Sequence, residues 1–149
     1  MIDIYADSDL LFTLTHEDTA LPHRGSTHAA GWDLTADETV TIPVGGTRMV
    51  STGVSVAIPV GMFGLLVPRS SLGVRHRLGL ANTVGVIDAD YRGEIKAALV
   101  NNGSKPVTIE RGTRVVQLII QQFKSVTWVQ VGGLPPTVRG EGGFGSTGS

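Results

Sequence analysis

The chain has 149 residues and no cysteine, and its 12 Lys and Arg are set against 13 Asp and Glu. That length suits a single domain with a real core, and the near-neutral balance argues against bulk attraction to nucleic acid or to a membrane surface. The missing thiols exclude disulfides, thiolate metal sites and cysteine nucleophiles.

Any anionic ligand must therefore be held by a local site. The N-terminal MIDIYADSDLLFTLTHED carries acids where an export signal carries basic residues, and no stretch reaches the ~18 apolar residues of a membrane-spanning helix. The expectation is a soluble, cytoplasmic protein. At 41% hydrophobic the chain is slightly apolar for its size, a hint that another subunit covers part of it.

In chain order, short runs rich in Val, Ile and Thr predict strands at TVTIPV (39–44), MVSTGVSVAI (49–58), MFGLLV (62–67), IKAALVNN (95–102), PVTI (106–109), RVVQLIIQQF (114–123) and VTWVQV (126–131). Between them stand the turn signals VGG, PVG, NNGSKP and ERG. No segment keeps a 3.6-residue period over three turns, and SSLGVRH (70–76) is the one short helix expected. The fold class is all-β, a sandwich or barrel.

From Leu134 the composition changes: LPPTVRGEGGFGSTGS holds five glycines and two prolines, with Arg139 and Phe144 its large side chains. Such a segment cannot fold alone, because ordering each backbone residue costs ~1–2 kcal/mol and there is little apolar area to offset it. The division expected is a core over 1–133 and an arm over 134–149. Glycines flanking a cation, an aromatic and Ser-Thr let backbone N–H groups approach anionic oxygens, so the arm reads either as a free tail or as a lid over a phosphate ligand.

Three further stretches carry candidate chemistry. PRSSLG (68–73) offers a guanidinium and two hydroxyls at a helix start, suited to a phosphate chain or simply to a capped turn. GWDLTA (31–36) places Asp33 in an apolar frame, as a structural partner of an arginine or as a functional acid. GVIDADYRGEI (85–95) ends an apolar strand in Asp88, a carboxylate that could take a proton from water once a substrate excludes solvent. Asp90 follows where the chain should turn, leaving one acid to pair with Arg92 or to cap the turn. No GK[ST] sequence occurs, which excludes a Walker P-loop, and the four histidines lack metal-ligand spacing.

AGWDLTA, PRSSLG, GVIDADYRGEI, RGTRVVQLI and RGEGGFGSTG occur in this order from Ala30 to Gly148. Together they resemble the five motifs of the trimeric dUTP pyrophosphatases, the dUTPases. The resemblance implies a jelly-roll β-sandwich forming a homotrimer, active sites between subunits, and an arm closing each site. It implies hydrolysis of dUTP to dUMP and pyrophosphate with Mg²⁺, which limits uracil entry into DNA and supplies dUMP for dTTP synthesis.

By position in those motifs, Asp88 corresponds to the acid activating the attacking water and Tyr91 to the ring packed on deoxyribose. Asn82, with the backbone of Val86 and Ile87, corresponds to the uracil reader. Arg69, Ser70, Ser71 and Gln117 correspond to the phosphate contacts, although many members carry glycine where Ser71 stands. Asp33 looks like the acid contacting Mg²⁺-bound water, the ion itself being held mainly by the substrate phosphates, and Arg114 like its structural ion-pair partner. In the arm, Arg139 would reach the γ-phosphate, Phe144 would stack on uracil, and Gly145, Ser146 and Thr147 would bond phosphates; Lys96 lies just past the third motif.

Two other readings stand beside this one. The homologous dCTP deaminases share RSSL but place a catalytic glutamate where this chain has Ala98, which cannot move a proton. A non-catalytic trimer that binds dUTP and signals to a partner would show tight binding and negligible turnover.

Overall fold

The computed structural model describes residues 9–143. Among them the strands are β1 (Leu11–Leu14), β2 (Trp32–Thr35), β3 (Val40–Ile42), β4 (Thr47–Ser51), β5 (Val54–Ala57), β6 (Met62–Pro68), β7 (Leu78–Leu80), β8 (Gly85–Ile87), β9 (Lys96–Asn101), β10 (Val107–Ile109) and β11 (Arg114–Gln122). One helix, α1 (Ser70–His76), follows β6. The chain is an all-β sandwich, as the spacing of strands and turns predicts, and of the jelly-roll type that the resemblance implies.

All ladders are antiparallel. One sheet runs β2-β11-β6-β8 and another β4-β9-β7, with two ribbons, β1-β5 and β3-β10. Strands distant in sequence are neighbours, so most pairing is non-local. The core fills between the layers with Leu34, Ile42, Val50, Leu66, Leu99, Val115, Val116 and Leu118. On β9 the alternation is strict: Ala97, Leu99 and Asn101 are buried while Lys96 is exposed. Buried Asn101 is satisfied, donating to the Ile42 and Lys105 carbonyls at 3.1 and 2.8 Å and accepting from the Gly103 N–H at 2.9 Å.

Two local departures matter for the site. MVSTGVSVAI, predicted as one strand, is broken at Thr52-Gly53 into β4 and β5, because Gly53 adopts φ +68° and turns the chain out of the β4-β9-β7 sheet into the β1-β5 ribbon. On β11 the register shifts between Arg114 and Val116, a bulge that buries both members of the Val115-Val116 doublet.

The predicted strand at 126–131 is a correction. Residues 123–143 form no ladder, and Trp128 is 96% exposed. The Val126 to Val131 alternation is suited to a strand, but no second strand of the same chain lies beside it to take its N–H and C=O groups. Among the described residues regular structure thus ends at Gln122, with Phe123 still packed edge-on against Phe63 at 6.3 Å. Strands β1, β2 and β7 lie outside the predicted runs. Segment 16–19 is tied down by Arg111, which reaches Asp18 at 2.7 Å and Asp37 at 2.9 Å. No helix among the described residues is long and apolar enough to cross a membrane.

Candidate active site

The fold gathers the candidate residues into two separate groups. The first lies at the sheet end where β6 passes into α1. Gln117 on β11 sits directly opposite Asp33 on β2 and Val67 on β6, so the three share one face. Asp33, 3% exposed, receives two guanidiniums: Arg114 Nη1 donates to Oδ2 at 3.2 Å, and Arg69 Nε stands 3.2 Å from Oδ1. The Arg69 contact is an ion pair without a directed hydrogen bond, since Oδ1 has no donor aimed at it. The expected Asp33–Arg114 pair is present, and Arg69, expected on phosphate, shares the same acid.

Arg69 is also the N-cap of α1, with φ −73° and ψ 138°, and no side chain caps the helix. Neither Ser70 nor Ser71 spends its hydroxyl as a cap. The ordinary capping role weighed for this stretch is thereby absent.

Asp33→Asn should expose how much this cluster holds the fold. It leaves two arginines facing a neutral amide, and because Arg69 and Arg114 are 24% and 44% exposed the loss is partly screened, about 1–3 kcal/mol. In a melting experiment that is a drop of several degrees. An unchanged midpoint would make the acid's role functional alone.

The second group lines a cavity of about 460 Å³ bounded by Met49, Val86, Ile87, Asp88, Tyr91, Glu94, Ile95 and Lys96. Five of these, Val86, Ile87, Asp88, Tyr91 and Lys96, are residues the sequence singles out. The Ala81 N–H donates to the Ala98 carbonyl at 2.8 Å, which directs exposed Asn82 toward the Lys96 end of β9. Asp88 follows β8, and the Tyr91 N–H donates to its carbonyl at 3.1 Å, the turn that DADYRG predicts.

Two expectations for that turn are corrected. Arg92 pairs with neither acid; its Nη1 donates to the carbonyls of Ala89 at 2.6 Å and Tyr91 at 3.0 Å. Nor is Asp88 desolvated within one chain, where it is exposed just past the end of β8.

Met49, Glu94 and Ile95 complete the cavity, and the sequence singles out none of them. Glu94 accepts from the Ser51 hydroxyl and from the Gly53 N–H at 2.7 Å, and it pairs with Lys96 at 3.7 Å. Burial pushes its carboxyl up, but the Ser51, Gly53 and Lys96 contacts outweigh that and hold it below the usual carboxylate range. Lys96 is two residues on, but Ser51 and Gly53 are 43 and 41 positions away, so only the fold reveals them.

Among the described residues no side-chain hydrogen bond or ion pair joins the two groups. Ile87, next to Asp88, pairs with Gly64 near one end of β6, whereas Arg69 follows its other end; five residues at a strand's rise separate them by about 17 Å. Arg139 joins neither group: its Nε donates to the Gly142 carbonyl at 2.9 Å within the arm's own turn. Phe144, Gly145, Ser146 and Thr147 lie outside the described residues.

A β-sandwich with an acidic, aromatic turn after β8 and an arginine-serine helix start after β6 is equipped to hold an anionic ligand and to offer a carboxylate base. The dUTPase family model matches residues 17–148. The chain belongs to the dUTPase family.

A deoxyuridine 5'-triphosphate nucleotidohydrolase of Debaryomyces hansenii is 45% identical over 145 residues, covering 96% of this chain and 89% of the yeast protein. The dUTPase of Staphylococcus bacteriophage 80alpha, solved with dUpNHpp, superposes with TM-score 0.90 at 26% identity over 95% of this chain and 99% of its own. A dUTPase of phage phi11 of S. aureus, whose structure describes coordination of a structural Mg(II) ion, matches with TM-score 0.78 at 25% identity over 84% and 97%.

Proposed function

We propose that the protein hydrolyses dUTP to dUMP and pyrophosphate with Mg²⁺, at sites that three copies build between them. What carries the reading is the pairing of a family match across residues 17–148 with Asp88 and Tyr91 on the wall of one nucleotide-sized cavity.

Separation of the two residue groups supports shared sites. If Asp33, Arg69, Ser70, Ser71 and Gln117 of one copy face the Asp88 cavity of another, base, sugar and triphosphate fall along a single path. The exposed Val126, Trp128, Val129 and Val131 give a second copy an apolar stretch to cover. Burial at that junction would also desolvate Asp88. The arm from 134 would then close over the nucleotide, with Arg139, Phe144, Gly145, Ser146 and Thr147 as its contacts.

In the reaction, the Asp88 carboxylate accepts a proton from a water molecule as its oxygen attacks the α-phosphorus in line. A new oxygen–phosphorus bond forms, the bond to the bridging oxygen breaks, and pyrophosphate leaves. Arg69, the two serines and Gln117 hold the phosphate chain in register for that displacement. Tyr91 presses on C2′ of the sugar and leaves no room for a ribose hydroxyl. The amide of Asn82 and the Val86–Ile87 backbone match the uracil edge; cytosine would leave buried donors and acceptors unpaired at about 1–3 kcal/mol each.

The residues fit Mg²⁺ as a substrate-borne ion. Buried Asp33 Oδ1 has no hydrogen-bond donor and can accept one from a metal-bound water, whereas its two arginines compete with direct ligation. No group of three His, Asp or Glu among the described residues offers a protein cage, which leaves the ion to the phosphates. When bound, the ion neutralises charge developing on the phosphate oxygens. With no cysteine to oxidise, the chain suits the reducing cytoplasm.

Incubation with dUTP, dCTP, dTTP and UTP in Mg²⁺ should yield pyrophosphate from dUTP, at least about 10²-fold faster than from the others. A chelator should abolish it. Ammonia released from dCTP would instead indicate a deaminase, a reading disfavoured because β9 (Lys96–Asn101) carries Ala98 and no acid. Tight dUTP binding with negligible turnover would indicate a sensor.

A further inference from the structure

The turn bearing Asp88 and Tyr91 is braced by its own residues. The Tyr91 hydroxyl donates to the Glu94 carbonyl at 3.0 Å, folding the ring back across Gly93. Glu94 is fixed in turn at the β4–β5 kink through Ser51 and Gly53. The ring therefore hangs from the rigid part of the sandwich rather than from the turn alone.

Gly93 is what lets the ring lie there. A Cβ at this position would stand 2.4 Å from the Tyr91 hydroxyl oxygen, 2.6 Å from Cζ and 3.0 Å from Cε2. Those three atoms are its nearest neighbours, and Gly93 is not among the residues of positive φ, so its backbone admits alanine. The three tightest conflicts are all with the Tyr91 side chain.

We infer that Gly93 is a specificity-determining position: having no side chain, it seats the Tyr91 ring on its Glu94 pin, where the ring excludes a ribose hydroxyl. The inference rests on the proposed packing of Tyr91 against deoxyribose. A methyl at residue 93 drives the outer edge of the ring off by about 1 Å to regain an ordinary contact near 3.5 Å. That movement carries the hydroxyl out of hydrogen-bond range of the Glu94 carbonyl. The ring, 44% exposed, is then free to swing, and an unpinned wall discriminates less.

The test is kcat/KM for dUTP and for UTP with the full-length protein, Gly93→Ala, Tyr91→Leu and the double variant. Gly93→Ala should lower the dUTP:UTP ratio about tenfold or more, with the dUTP loss mainly in KM. In the Tyr91→Leu background the same change should leave the ratio where Tyr91→Leu alone puts it. A purely structural defect would slow both substrates alike and leave the ratio unmoved.

An unaltered ratio in folded Gly93→Ala overturns the inference, as does a further fall in the double variant. Should Gly93→Ala fail to fold, recovery of folding in the double variant supports it and failure of both overturns it. If the unaltered protein hydrolyses dUTP yet shows no preference over UTP, the reading of Tyr91 itself fails and takes the inference with it.

Discussion

Asp88→Asn lowers kcat for dUTP by about 10³-fold and leaves the affinity for a non-hydrolysable dUTP analogue within a few-fold. The expectation follows from what the side chain does and does not touch. Among the described residues the Asp88 carboxylate enters none of the side-chain hydrogen bonds or ion pairs that hold the turn; Arg92 and Tyr91 do that work through main-chain carbonyls. Asparagine keeps the shape and cannot accept a proton, so what is lost belongs to the transition state. Binding titration and single-turnover kinetics separate the two effects. Equal losses in binding and rate would show that Asp88 orients the nucleotide, and another base would have to be sought.

How much of this was legible in the sequence depends on how far apart the cooperating residues stand. Helix α1 falls on SSLGVRH (70–76) because its signal is local: a proline and arginine ahead of two serines, then basic residues in the last turn. Strand β2 hides in WDLT because four residues carry no period, and its extended form comes from pairing with β11, over eighty positions on. VTWVQV misleads in the opposite sense, since alternation states a preference for pairing and cannot supply the partner.

The candidate site divides along the same line. Asp88, Tyr91 and Lys96 lie within one short stretch and are found together on one cavity wall. Glu94 is written in that stretch too, yet its importance comes from Ser51 and Gly53, which are 43 and 41 positions away. The Arg69–Asp33–Arg114 cluster is intermediate. One of its two ion pairs, Asp33–Arg114, is implied by the resemblance of the motifs, while the other emerges only once β11 brings the ends of β2 and β6 together. Most telling is the span of about 17 Å along β6 from Gly64, where Ile87 pairs, to Arg69, because motifs lined up in sequence order give no sign of how far apart one chain holds them.

That gap also sets the outcome of shortening the chain. Removing residues 138–149 should reduce kcat/KM for dUTP by about 10²- to 10³-fold while leaving the oligomer assembled, if the arm, as proposed, supplies ligand contacts rather than core. In the described part, the arm's bonds close on themselves: the Gly140 N–H donates to the Thr137 carbonyl at 3.2 Å, the Gly142 N–H to the Arg139 carbonyl at 3.1 Å, and Arg139 Nε to the Gly142 carbonyl. Cutting them strips nothing from the sandwich. The apolar stretch Val126–Val131, the better candidate for subunit contact, is retained in the shortened chain. Sedimentation should therefore give the same mass for both lengths, with melting midpoints within about 2 °C. Dissociation of the shortened protein would mean that the arm holds the copies together and that its loss of activity is a consequence of assembly rather than of closure.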